Sequence, residues 1–173
     1  AVSNAQAIVG FELALGLFIE PTAQAFIVGS DWALRLANWI YLFGHWPVIA
    51  LVGFWLYRYK WSRYRLYRNS LIISGSIGLV IFLLYPVAPP RLIGMAFVDT
   101  VTRYSAVYHV LQPAWLTNQL AAVPSLHFGW NPIIGIVLVR EASHIAFRLL
   151  GVVTPVIMLA AIILTGNHYV TDA

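Results

Sequence analysis

Five apolar stretches run through this chain, near Ala7–Val28, Leu36–Tyr57, Ser70–Ala88, Val123–Val139 and Leu149–Thr165. Each is close to the roughly 20 residues that a helix needs to cross the hydrocarbon core of a bilayer. No water reaches that core to satisfy backbone N–H and C=O groups, so such stretches fold as helices. Glu12, Glu20 and Pro21 interrupt the first stretch, which is expected either to cross the membrane or to lie in its interface. Glu12 and Glu20, eight residues apart, would share one face of a continuous helix. Composition points the same way. Of 173 residues, 61% are hydrophobic and 9% charged, against about 25% charged in soluble domains. A soluble core of this size cannot hide so much apolar surface. The expected fold is all-α, a polytopic transmembrane bundle of about five to six helices with an extracytoplasmic interfacial loop. With no internal repeat and no low-complexity linker, residues 1–173 read as one domain.

The basic residues orient the bundle. Arg58, Lys60, Arg63, Arg65 and Arg68 crowd one short loop among five tyrosine and tryptophan residues, and Arg140 and Arg148 bracket another. Short basic loops stay cytoplasmic, and aromatic residues favour the interface. Threading the spans between these loops sends Ser70–Ala88 outward, Val123–Val139 inward and Leu149–Thr165 outward again. The loop Pro89–Ala122 and the tail Gly166–Ala173 then both lie outside. A nucleic-acid or calmodulin site in the basic stretch is the weaker reading, because the net charge of +4 is small and orientation already accounts for it. The chain has no cysteine, which excludes disulfides, thiolate metal sites and a thiol nucleophile.

Ionisable groups near hydrocarbon are costly, so each needs a partner or a task. Three polar clusters fall at the same outer level: Arg91 after Pro89-Pro90, then Pro124-Ser125-Leu126-His127, then Asn167 through Asp172. Together they supply a cation, a hydroxyl, two imidazoles and a carboxylate, which suits phosphoryl chemistry. Arginine grips a phosphate with two donors at once. Ser125 adds a donor, and a helix N-terminus adds backbone N–H groups. A nucleophilic imidazole must be neutral and oriented by a partner on its other nitrogen. His168 and Asp172, four apart, share a face on a helical turn. His127 is placed to protonate a leaving alcohol.

Each residue alone has a plainer reading. Arg91 would be an interface anchor, Ser125 a helix N-cap, Asp172 a polar tail residue, and either histidine a hydrogen-bonded interface group. Their coincidence on one membrane face favours function. His45, between Gly44 and Trp46-Pro47, is expected to hydrogen-bond at a kink or to shape a pocket. Arg103 and His109 in the outer loop would touch a headgroup or simply face water, and His144 would be solvated. Glu12 and Glu20 would pair with outer-loop basic groups or face water.

These motifs resemble those of the type 2 phosphatidic acid phosphatase superfamily. Its second motif is usually Pro-Ser-Gly-His, and here stands Pro124-Ser125-Leu126-His127; its third ends His-x-x-x-Asp, matched by His168 and Asp172. The leucine in place of glycine, and the run Tyr85-Pro86-Val87-Ala88-Pro89-Pro90-Arg91, are closer to the branch of inositol phosphorylceramide synthases and their bacterial relatives. The resemblance covers roughly Leu71 to the end. It implies that His168 attacks phosphorus to form a phosphohistidine, Asp172 orients it, His127 protonates the leaving group, and Arg91 and Ser125 hold the phosphate. It implies no metal and no cofactor. The substrate would be a membrane lipid phosphate or phospholipid, with the phosphoryl group passing to water or, as in inositol-phosphate transfer, to an alcohol. The chain departs from the pattern in two places: Leu84 stands where the first motif has lysine, and Ala161-Ile162 where the third has Ser-Arg. Arg103 is a candidate replacement. The family's last helix continues past the aspartate, so a further stretch of helix is expected beyond this sequence. Two alternatives stay open: a lipid carrier without catalysis, whose site belongs near the midplane, and a metal-dependent hydrolase ligated by His127, His168 and Asp172.

Overall fold

The computed structural model describes residues 1–94, 97–101 and 118–172. These form seven α-helices: α1 (Val2–Leu15), α2 (Glu20–Val28), α3 (Asp31–Phe43), α4 (Trp46–Tyr59), α5 (Trp61–Leu84), α6 (Leu126–Glu141) and α7 (Ile145–Leu164). Two 3-10 turns, Pro90–Leu92 and Val170–Asp172, complete the set. The described residues contain no strand, only an isolated bridge between Val87 and Ala121. The all-helical membrane bundle expected from the sequence is what forms.

The helices break where the sequence supplies breakers. Gly16 takes a left-handed φ of 68°, which costs glycine nothing, and ends α1. Pro21 then sits in the first turn of α2, where its missing N–H is harmless. The two helices bend by 95°, so the first apolar stretch is a broken pair and not one continuous helix. In the second stretch, α3 ends at Gly44 and α4 restarts with Pro47 in its first turn, bending by only 41° around His45. The helices α5 and α7, of 24 and 20 residues, are long and apolar enough to cross a membrane on their own, and each bent pair qualifies as one span.

Helices α6 and α7 make the closest packing. A Cβ on Gly151 would lie 2.7 Å from the Gly135 carbonyl oxygen and 2.8 Å from Leu138 Cβ, so only glycine permits the approach. Pro155 offers no N–H to the Gly151 carbonyl one turn back; that carbonyl instead faces Gly135. Both basic turns lie at one end of the bundle: Glu141, at the end of α6, pairs with Lys60 at 3.2 Å and Arg63 at 3.0 Å. Elsewhere the surface is greasy. Phe26, Leu83 and Leu84 are each at least 80% exposed among many other apolar side chains, far more than a soluble monomer leaves in water. This is the surface of a protein that has lipid for solvent.

Candidate active site

At the end opposite the basic turns, α3, α4, α5, α6 and the segments around Pro89 and Asn167 surround a cavity of about 680 Å³. Its walls include Tyr41, His45, Trp46, Arg91, His127 and His168. Three motifs that lie far apart in sequence converge here.

His168 follows the end of α7. Its backbone N–H and that of Asn167 fold back on the Ile162 carbonyl, and Gly166 supports the turn with a left-handed φ of 66°. The ring is buried, and its Nδ1 lies 2.7 Å from the Ala122 carbonyl oxygen and 3.3 Å from Asp172 Oδ1. A carbonyl only accepts, so Nδ1 must carry the proton. The lone pair is then on Nε2, the form a nucleophile or base requires. The Ala122 carbonyl is a functional group that side-chain reasoning missed; nothing in the identity of an alanine could have signalled it.

Asp172 is tied into the same turn. Its Oδ2 accepts from the Tyr169 N–H at 3.1 Å, and the Tyr169 hydroxyl donates to the Ala88 carbonyl at 2.7 Å. Burial pushes the Asp172 carboxyl above the usual carboxylate range, while the His168 contact and the Tyr169 N–H pull it back.

His127 stands in the first turn of α6, packed between Tyr41 and His45, with ring centroids 4.4 and 4.3 Å away. Its centroid is 5.7 Å from that of His168. His45 occupies the α3–α4 break, stacks on Trp130 at 5.5 Å, and has a buried Nδ1 without a hydrogen-bond partner. Three imidazoles thus line up across the cavity.

Arg91 enters from the 3-10 turn after the proline run. Its backbone N–H bonds the Gly166 carbonyl, and Nη1 donates to Asn167 Oδ1 at 2.5 Å. Asp99 lies 3.5 Å from Nε, within ion-pair range, although Nε has no aligned hydrogen-bond acceptor. A guanidinium carries five N–H donors, and Asn167 takes one of them. Ser125 does not line the cavity. Its hydroxyl oxygen caps α6 by accepting from the Phe128 N–H at 3.2 Å, and its backbone N–H bonds the Asp172 carbonyl. The hydroxyl proton remains available to donate. Arg103 and His109 lie outside the described residues. His144 caps α7 by accepting from the Ala146 N–H.

The largest departure from expectation concerns Glu12 and Glu20. They neither share a face of one helix nor look into water. Both are wholly buried, and they accept backbone hydrogen bonds from Thr171 and Val170 at 2.8 Å each. Other polar residues of α1–α3 act alike: Asn4 bonds the Pro86 carbonyl, Gln24 the Val98 amide and carbonyl, and Asn38 the Thr100 carbonyl. Each is an amide inside an apolar run, and the cost of burying a polar group was the signal that could have found it. Among the described residues, no group of three His, Asp or Glu side chains is arranged to hold a metal ion.

A family model described as PAP2 superfamily matches residues 6–173. The chain belongs to the PAP2 superfamily, and the match includes the N-terminal helices that the short motifs alone leave out. No curated protein and no solved structure gives a significant match. Membership in a family of lipid-phosphate phosphatases, together with the membrane-length helices, defines a membrane enzyme of phosphatase type.

Proposed function

We propose that this protein cleaves a lipid phosphate or phospholipid through a phosphohistidine on His168, without a metal, on the extracytoplasmic face of the membrane. The observation that carries the reading is the hydrogen bond from His168 Nδ1 to the Ala122 carbonyl, which leaves the Nε2 lone pair on a ring 5.7 Å from His127. In the first step Nε2 attacks phosphorus, and the bond from phosphorus to the leaving oxygen breaks. His127 gives that oxygen its proton. Asp172 and the Ala122 carbonyl stabilise the cationic imidazole that results, while Arg91 holds the phosphoryl oxygens. In the second step an acceptor gives its proton to His127 and takes the phosphoryl group from Nε2.

One feature favours a lipid. A second, more apolar hollow of about 650 Å³ runs between α4 and α5, and it shares Trp46, Leu79 and Trp130 with the reaction cavity. An acyl chain lying there would join the bilayer to the phosphate. The cavity lies opposite the basic Lys60–Arg63–Glu141 corner, and the positive-inside rule supports an extracytoplasmic site.

Among the described wall residues, Arg91 is the sole lysine or arginine, and hydrophobic Leu84 and Ile162 stand at the other two expected cation positions. A phosphodiester brings a single negative charge to this wall, whereas a phosphomonoester brings up to two. A phosphodiester substrate therefore fits this wall better than a phosphomonoester. Inositol phosphate is the headgroup the branch resemblance suggests. The test is turnover by purified protein on phosphatidic acid, phosphatidylinositol and related lipids, with a chelator and with or without an acceptor alcohol. Chelator-resistant turnover that vanishes in His168→Ala supports the reading. Full activity in His168→Ala refutes it, and absence of turnover from folded protein returns weight to a carrier.

A further inference from the structure

The N-terminal helices send two buried carboxyl groups to the turn that carries His168 and Asp172. Glu12 Oε1 accepts from both the Thr171 N–H and the Thr171 hydroxyl, each at 2.8 Å, and Glu20 Oε1 accepts from the Val170 N–H at 2.8 Å. These bonds join residues 150 and 159 positions apart. The other oxygens, Glu12 Oε2 and Glu20 Oε2, are buried and lack a hydrogen-bond partner. The two carboxyl groups accept from consecutive backbone amides, those of Val170 and Thr171, so they meet at one turn. Two bare carboxylates in a dry site repel strongly. One proton held between the two Oε2 atoms would remove that repulsion and satisfy both orphan oxygens.

We infer that Glu12 and Glu20 form a singly protonated acid pair whose Oε1 atoms hold the Val170–Thr171 backbone, and so position His168 and Asp172 for reaction. The pair touches no substrate; it acts through the turn. The inference rests on the reading of His168 as nucleophile. Its chemical signature is that one glutamine can replace the protonated member. A glutamine Oε1 still accepts from the turn, its Nε2 donates to the partner carboxylate, and the pair keeps one negative charge. Two glutamines set N–H against N–H with no acceptor between them.

The experiment compares Glu12→Gln, Glu20→Gln, the double Gln variant, Glu12→Ala and His168→Ala in one lipid turnover assay, each checked for folding by size-exclusion chromatography. Both single Gln variants are expected to stay within about threefold of wild-type kcat. The double variant and Glu12→Ala are expected to lose about 10- to 100-fold in kcat, the scale set by small misplacements of a reacting group, with KM within about threefold. Single Gln variants as impaired as the double one would overturn the shared proton. A double variant or Glu12→Ala with near wild-type kcat would overturn the positioning role. So would failure of either to accumulate as folded protein, which would assign the pair to the fold. Activity that survives in His168→Ala instead overturns the nucleophile assignment, an outcome visible separately from the glutamate series.

Discussion

Replacing Asp172 by asparagine separates two tasks that a carboxylate beside a histidine usually performs together: fixing the tautomer and stabilising the cation that forms. Where an aspartate alone fixes the tautomer, this change costs about 10⁴-fold in kcat. Here the Ala122 carbonyl is the nearer partner of His168 Nδ1, at 2.7 Å against 3.3 Å for Asp172 Oδ1, and it remains in the variant. The asparagine carbonyl can still accept the Tyr169 N–H, so the turn survives. The amide nitrogen then takes the place of Oδ1 and cannot accept from Nδ1–H, so the contact with the charged ring is lost, a bond worth about 1.5–3 kcal/mol. At about 1.36 kcal/mol per decade of rate, kcat should fall about 10- to 150-fold. Stability should move the other way or not at all. Burial raises the Asp172 carboxyl above its ordinary range, so the folded state holds this proton more tightly than the unfolded chain does. That contribution weakens the fold as pH rises from the ordinary carboxylate value through the raised one, and asparagine does not carry it. The assay is initial-rate turnover in mixed micelles, paired with thermal unfolding in detergent at neutral pH. A loss of about 10⁴-fold, or one equal to that of His168→Ala, would refute the role given to the Ala122 carbonyl. A clearly lowered Tm would refute the electrostatic part.

His127→Ala should cost about 10²- to 10⁴-fold on a lipid with an alkoxide leaving group, but far less on an aryl phosphate, whose leaving group needs no proton; equal losses on both would remove His127 as the acid. Arg91→Lys keeps the charge and loses the planar fork that bonds Asn167, so it should lose at least about tenfold in kcat/KM, and a wild-type value would count against bidentate phosphate binding. Gly151→Val forces a side chain into the Gly135 carbonyl and Leu138 and should destabilise by at least about 1–3 kcal/mol, seen as a lower Tm in detergent. Gly10→Ala, which meets no atom within 4 Å, should leave Tm unchanged or slightly raised.

The fold class and the catalytic candidates were legible for one reason: in an apolar sequence a polar residue is conspicuous. Arg91, His127, His168 and Asp172 stood out against the apolar stretches that flank them, and the structure brings them to one end of the bundle. The broken helices were only half legible. Pro21 and Pro47 announced interruptions, but composition does not set the difference between a 95° bend and a 41° bend; packing does. The destinations of Glu12 and Glu20 were hidden, because helical periodicity places a side chain on a face without naming what comes to meet it. Here the partner lies 150 or more positions away.

One physical constraint joins these observations. A membrane helix satisfies its own backbone, whereas a reaction centre needs irregular chain to bring distant residues together, and irregular backbone away from water needs partners. The described segments at 86–94, 97–100 and 164–171 are of that kind. Their exposed backbone groups are met by side chains from the N-terminal helices: the Pro86 carbonyl by Asn4, the Val98 amide and carbonyl and the Leu164 carbonyl by Gln24, and the Thr100 carbonyl by Asn38. Glu20 and Glu12 meet the Val170 and Thr171 amides. The polar residues of α1–α3 look out of place in apolar helices only while those helices are considered alone. They are the hydrogen-bonding complement of the loops that carry Arg91 and His168, so the N-terminal helices hold the backbone of the candidate site in shape.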